Sequence, residues 1–284
     1  MKSATAGEAG YTIVEVMIFL TVSGVLLLSA LALLNGRVGH TQFSQTVQQL
    51  DSRIKSAANE ASTGTYPSTS FSCDVTTGAP RTNELVAGEQ GTRSGCIFVG
   101  KVITPASTCT SPLTNTNCTA IDVYSLVGRR TDADNHAVTT LTGVSGAKPR
   151  VILSPDVTQT ISLGSGARIT GIFQPVGAFP VSASGIGFFQ SFNTASAGTP
   201  LNSGAQNLET WVVRNTAIPA PYSPLSKVDL GKTIEDEKMN RLPVTSRLYI
   251  CLKSGTSNQN ASISVNSING GIVTEVQIGT NQCV

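Results

Sequence analysis

The stretch from Gly10 to Leu34 limits this chain more than any other. It reads G-Y-T-I-V-E-V-M-I-F-L-T-V-S-G-V-L-L-L-S-A-L-A-L-L, and its last nineteen residues, Val16 to Leu34, carry no charge. As a helix those residues rise roughly 28 Å, about the thickness of a bilayer's hydrocarbon core. One anion, Glu15, stands immediately before the apolar run, and a short polar leader, Met1 to Gly10, precedes it. A carboxylate at the edge of hydrocarbon is costly unless paired, which makes Glu15 a functional-site candidate by default. Its bland alternative is a place in the headgroup zone of a plain membrane anchor.

The helical pattern continues past the apolar run, from Asn35 to Ser62. Apolar or small residues recur at Phe43, Val47, Leu50, Ile54, Ala57 and Ala61, in steps of three and four. Gln and Ser residues, with Asp51, Arg53, Lys55 and Glu60, fill the positions between. This is an amphipathic helix with one apolar stripe. No proline interrupts Tyr11 to Ser62, so the spacing predicts one helix over 11–62, with Gly24, Gly36 and Gly39 as its weak points. Thr63-Gly64, with Pro67 just beyond, is a glycine stop signal.

From residue 63 the composition turns to Thr, Ser, Asn, Gly and Pro with short β-type runs. Candidate strands are Gly95–Ile103, Ile121–Gly128, Arg150–Leu153, Arg168–Phe173, Gly187–Phe192, Thr210–Arg214 and Arg247–Leu252. Ala261–Val265 and Ile272–Ile278 flank Asn269-Gly270-Gly271 as a β-hairpin. Short strands with frequent turns after one long helix predict an α+β fold, with an antiparallel sheet packed on the helix. No period of 20–50 residues marks repeats. Ala195–Gly204 is a candidate break within the β region, with nothing further to support it.

Charged residues make up 13% of the chain and the net charge is +2, without the clustered basic field that nucleic-acid binding needs. All six cysteines, Cys73, Cys96, Cys109, Cys118, Cys251 and Cys283, follow the apolar run. None forms a C-x2-C pair and neither histidine lies beside one, which argues against a zinc site. An even number in an exported domain reads as three disulfides, with fifteen possible connectivities.

Candidate catalytic residues are few. His40 falls on the amphipathic helix, and His136 in a polar loop beside Asp132 and Asp134. Ser52-Arg53-Ile54-Lys55 spells the S-x-x-K of Ser/Lys acyl enzymes but has no companion motif. Asp132-Ala133-Asp134-Asn135 opens like a calcium loop, yet the required Gly and distal Glu are missing. Glu235-Asp236-Glu237-Lys238 reads as a solvated turn or short helix. Phosphate-cradling glycine motifs are absent. Trp211, Phe188, Phe189 and Phe192 read as core rather than a ligand platform. The chain is therefore expected not to be an enzyme, and to need no cofactor and no metal.

Gly10, Tyr11 and Glu15, set directly before a membrane-length apolar run, resemble the N-terminus of type IV prepilins and pseudopilins. In that family a short leader ends in Gly, an apolar or aromatic residue follows, and a Glu falls five residues after the Gly. The resemblance is close over about 50 residues and general over the rest of the 284. It implies residues 1–10 as a leader, 11–62 as a transmembrane and amphipathic helix, and 63–284 as a β-rich extracytoplasmic domain. It further implies cleavage between Gly10 and Tyr11 by a prepilin peptidase, methylation of the new Tyr11 amine, and assembly with other pilin subunits. Glu15 would then meet a protonated N-terminal amine, its own or a neighbour's, and set the axial register, as one buried polar group does in a coiled coil. Many pilins carry a proline inside this helix and this chain does not. The length favours a minor pilin over a major one. The expected disulfides are Cys73–Cys96, Cys109–Cys118 and Cys251–Cys283, the last favoured by the C-terminal disulfide loop common in pilins. Before assembly the chain would lie as a single pass in the cytoplasmic membrane, and afterwards in an extracellular pilus or a pseudopilus, with no nucleic acid as partner.

Three other readings compete. Ala30-Leu31-Ala32 is a signal-peptidase-like site, but the apolar run is longer than a signal core and Lys2 is offset by Glu8. An uncleaved single-pass anchor displaying a binding domain is the main rival. An exported hydrolase lacks a catalytic constellation.

Overall fold

The computed structural model describes residues 11–64, 72–74, 76, 78, 80–81, 96–106, 109, 118–129, 147–152, 158–164, 166–176, 179–190, 208–213, 239–241, 247–268 and 271–279. A single helix, α1, runs from Ile13 to Thr63. Thr12 caps its start, its hydroxyl accepting from the Glu15 N–H, and Gly64 closes it in the left-handed region at φ 66° and ψ 29°. Gly64 donates its N–H to the Glu60 carbonyl, the αL ending that glycine tolerates without a Cβ penalty.

The rest of the described chain is antiparallel β structure. A ribbon pairs β1 (Ser72–Cys73) with β2 (Pro80–Arg81). A larger sheet holds β3 (Cys96–Pro105), β4 (Ala120–Arg129), β5 (Arg150–Val151), β6 (Gln159–Ser162), β9 (Gly185–Gln190), β10 (Leu208–Val213) and β11 (Met239–Arg241). Its order is β11-β10-β9-β3-β4-β5, with β6 on the other end of β4. The third sheet holds β7 (Arg168–Val176), β8 (Phe179–Ser182), β12 (Arg247–Lys253), β13 (Asn260–Ile268) and β14 (Gly271–Ile278), in the order β14-β13-β12-β7-β8.

The α+β class with an N-terminal apolar helix and antiparallel strands is what the sequence pattern predicts. A single sheet is not what forms. Two main sheets contribute to one core, because strands adjacent in sequence switch sheets. After β4 to β6 the chain leaves for β7 and β8, returns for β9 to β11, and leaves again for β12 to β14. The chain also adds β6, β8 and β11, which no run foretold: Gln159–Ser162 is polar, Phe179–Ser182 contains Pro180, and Met239–Arg241 has three residues. Around 269–270, which lie outside the described residues, Ile268 pairs with Gly271 as the hairpin pattern requires.

Every residue of the predicted apolar stripe is buried: Phe43, Val47, Ile54 and Ala61 at 0%, Leu50 at 2% and Ala57 at 4% exposure. They share one cluster with Ile103, Ile186 and Phe188 of the larger sheet and Leu248, Ile250 and Ile263 of the third. On the opposite face of the larger sheet Val99, Val102, Tyr124 and Phe189 form a second cluster, which Trp211 joins. Gly100 and Gly187 are among the glycines that close approach requires. A Cβ at Gly100 would lie 2.0 Å from the Phe188 carbonyl oxygen, and one at Gly187 would enter the Phe189 ring at 2.2 Å.

Polar ties also join the outer half of α1 to the sheets. Thr274 on β14 donates its hydroxyl to Asp51. Lys101 on β3 pairs with Glu60. Near the helix's end, the Gln190 side-chain amide donates to the Ala61 carbonyl at 3.0 Å. That last bond meets a carbonyl that would otherwise lack an intrahelical partner.

Candidate functional site

The first turn of α1 is built locally. Thr12-Ile13-Val14-Glu15 has the T-x-x-E spelling of a capping box, with Thr12 at the cap and Glu15 three residues on. The Thr12 hydroxyl accepts from the Glu15 N–H at 3.3 Å, and the Thr12 carbonyl accepts from the Val16 N–H at 3.2 Å. The Glu15 charge lies in the first turn, where the helix dipole favours an anion. The T-x-x-E spelling is readable in the sequence, although it lies just outside the apolar run. Tyr11 precedes the cap and is 81% exposed. Gly10, the other half of the predicted cleavage site, lies outside the described residues.

Beyond the cap, Ile13–Leu31 forms a helix long and apolar enough to cross a membrane, and none of it is buried against the protein. Thirteen large apolar side chains from Ile13 to Leu31 are each exposed by 45% or more. They cover every side of the helix, Phe19 and Leu20, Leu27 and Leu28 pointing apart. At about 1.5–3 kcal/mol per large apolar side chain, leaving them in water would cost on the order of 20–40 kcal/mol. That exceeds the roughly 5–15 kcal/mol that holds a typical domain folded. An apolar surface of that size on a helix of this length is consistent with single-pass anchoring in a membrane. The helix's polar groups suit such a place. The Thr21 hydroxyl donates to the Ile18 carbonyl at 2.9 Å and the Ser29 hydroxyl to the Val25 carbonyl at 2.8 Å, so neither needs water.

Within the domain the cysteines have paired. Cys73 joins Cys96 and Cys109 joins Cys118, with Cα atoms 4.9 and 4.6 Å apart. Cys251 is also disulfide-bonded; Cys283, its expected partner, lies outside the described residues. Such bonds persist in oxidising compartments, which puts the domain on the extracytoplasmic side of any membrane the helix crosses.

The remaining candidates from the sequence are scattered. His40 is exposed on α1, while His136 and Asp132-Ala133-Asp134-Asn135 lie outside the described residues, as do Phe192, Glu235–Lys238 and Ala195–Gly204. Lys55 donates to the Asp51 carboxylate at 2.6 Å rather than to Ser52. Phe188 and Phe189 are fully buried. Trp211 is half-buried, edge-on to Phe189 at 5.6 Å, with its indole N–H donating to Glu209 at 3.2 Å. Among the described residues no three His, Cys, Asp or Glu side chains gather as a metal site.

One buried carboxylate has a structural explanation. Asp122, 3% exposed on β4, accepts from the Tyr124 hydroxyl at 3.0 Å and from the Thr160 hydroxyl at 2.6 Å. Burial first, then the Asp122 charge and its hydrogen bond, push the Tyr124 phenol well above its ordinary range. A phenol held neutral in this way donates and does not act as a base. Comparison with known protein families, characterised proteins and solved structures returns no match.

Proposed function

We propose that this chain is a minor pilin or pseudopilin, a structural subunit of a type IV pilus-like filament. A prepilin peptidase removes residues 1–10 and methylates the amine of Tyr11. The apolar helix waits in the cytoplasmic membrane and then moves into a bundle of like helices. The disulfide-bonded β domain stays outside and makes the filament's contacts, in adhesion or in secretion. One observation carries this reading. A carboxylate, Glu15, opens a helix that is apolar and exposed on all sides to Leu31, and it does so five residues after the Gly of a Gly-Tyr pair. Lipid alone would accept the apolar residues and reject the charge. A bundle of apolar helices with a neighbouring N-terminal amine would accept both.

The first test is the N-terminal mass of the protein recovered from the cell surface. A chain starting at Tyr11 and heavier by one methyl group is expected. An intact Met1 or a start at Leu33 would overturn the reading.

A second reading is favoured by the first turn of α1. The Glu15 carboxylate lies there, where the helix dipole and a capping-box spelling give an anion a local role that a monomeric, membrane-anchored surface-binding protein would share. Glu15→Gln separates the two, since Gln serves in a capping box as well as Glu but carries no charge. Loss of filament incorporation in both Glu15→Gln and Glu15→Ala, with surface display retained, is expected. Normal incorporation of Glu15→Gln would leave capping as the residue's whole purpose.

A further inference from the structure

The domain has a defined end toward the apolar half of α1. A Cβ at Gly39 would lie 3.4 Å from the Thr256 hydroxyl, so the loop 254–259 between β12 and β13 touches the helix there. Twelve residues further along α1, Asp51 meets Thr274 on β14, whose neighbour across the strand is Val265. The hairpin therefore climbs away from the apolar half as the helix does, and its 254–259 loop is the near end. The segment 163–167 joins the same end: Gly255 lies against Gly166, and Gly164 against the Thr46 side chain.

The height of this end matters. Gly39 follows Leu31 and Leu34 by eight and five residues, a rise of roughly 8–12 Å beyond the apolar run. A headgroup layer is about 5–8 Å deep on each side of the hydrocarbon. With the helix in a bilayer, the loop 254–259 stands at the outer edge of the headgroup layer or a few ångströms above it.

The charge there has one sign. The described residues that build this end, 38–50, 163–164, 166–169 and 252–261, contain no Asp or Glu. They contain His40, Arg168 and Lys253, and the last two are partners on one rung of β7 and β12. Lys253 is exposed at the loop's edge. On neighbouring elements, Asp51 is engaged by Lys55 and Thr274, and Asp122 by Tyr124 and Thr160. The loop itself, Ser254-Gly255-Thr256-Ser257-Asn258-Gln259, offers hydroxyls and amides; the Ser254 hydroxyl already organises it by accepting from the Ser257 N–H at 3.0 Å.

We infer that this end of the domain docks on anionic phospholipid headgroups, with Lys253 at a lipid phosphate and the 254–259 loop lying on the headgroup layer. The inference needs the helix to cross a membrane and does not need a filament. Docking would hold the waiting subunit upright at the membrane surface and would be released when the helix leaves the bilayer.

The test is amide hydrogen exchange over residues 254–259 in the full chain, reconstituted into vesicles. Phosphatidylcholine with phosphatidylglycerol is compared with phosphatidylcholine alone, and flotation reports insertion. Exchange about fivefold slower in the anionic vesicles is expected, the effect of one cation near a charged surface. The slowing should vanish in high salt and in Lys253→Glu, and fall partway in Lys253→Gln. Equal exchange in the two lipids, or slowing that resists salt and both variants, overturns the docking while flotation keeps the anchor. Failure to float overturns the anchor and the docking together.

Discussion

Ile13–Leu31 and Phe43–Ala61 are stretches of one unbroken helix, similar in length, with opposite surroundings. The first is apolar on every side and touches nothing in its own protein. The second is apolar on one stripe, which lies buried against residues of both main sheets, while Gln45, Gln48, Gln49, Arg53 and Lys55 face solvent. Continuous backbone hydrogen bonding does not make the two halves equivalent. The amphipathic half gains its stability from packing, as most protein helices do. The apolar half gains nothing from the domain and depends on its medium. Such a helix can change medium, from lipid to a helix bundle, without the domain having to rearrange.

Substitutions that exchange the two environments should show this most strongly. Ile54→Asp would bury an unpaired charge under both sheets and is expected to unfold the domain, a loss above about 3 kcal/mol. Val22→Asp should leave the domain's melting temperature unchanged and instead weaken membrane insertion by about 3 kcal/mol, read by flotation. If Val22→Asp lowers the melting temperature as well, the halves are coupled and the comparison fails.

Cavity substitutions sharpen it further. Ile54→Ala should cost about 2–5 kcal/mol of domain stability in denaturant unfolding, and Leu27→Ala close to nothing. Replacing Cys109 and Cys118 together by Ser should cost about 2.5 kcal/mol, the loop entropy for their nine-residue separation. That loss should appear in domain unfolding and leave flotation unchanged.

The smallest effects belong to the polar ties. Lys101→Met should cost no more than about 1 kcal/mol, since Glu60 is partly exposed and keeps water as a partner. Thr274→Val should cost about 1 kcal/mol, the worth of one hydrogen bond to a carboxylate that Lys55 still serves. Both would be read as shifts in the denaturant midpoint at constant slope. A loss beyond 3 kcal/mol from either would mean that polar ties, rather than the apolar stripe, hold the outer half in place.

Much of this was legible in the chain itself. The stripe Phe43, Val47, Leu50, Ile54, Ala57 and Ala61 follows from helix geometry, because side chains three and four apart share a face whatever lies beyond them. The Gly64 stop and the Thr12–Glu15 cap are equally local, each closing within four residues. Trp211 read as core and is only half-buried, because its exposure depends on strands β9 and β11 on either side of it. The strands β6 and β8 left no mark, since Gln159–Ser162 and Phe179–Ser182 acquire their pairing from β4 and β7 rather than from their own alternation.

By sequence alone this protein is committed to one long helix with an apolar half and an amphipathic half, a glycine-ended stop, and a disulfide-bonded β region beyond it. Those commitments rest on periods and caps spanning a few residues, which the backbone imposes on any chain. Tertiary structure alone decided that the β region makes two main sheets around a shared core. It also decided that Asp51 is met by Thr274, 223 residues away, and the Ala61 carbonyl by Gln190, 129 residues away. Contacts at such separations are selected by the closure of the whole core, and no local pattern records which of many similar Thr or Gln side chains will arrive.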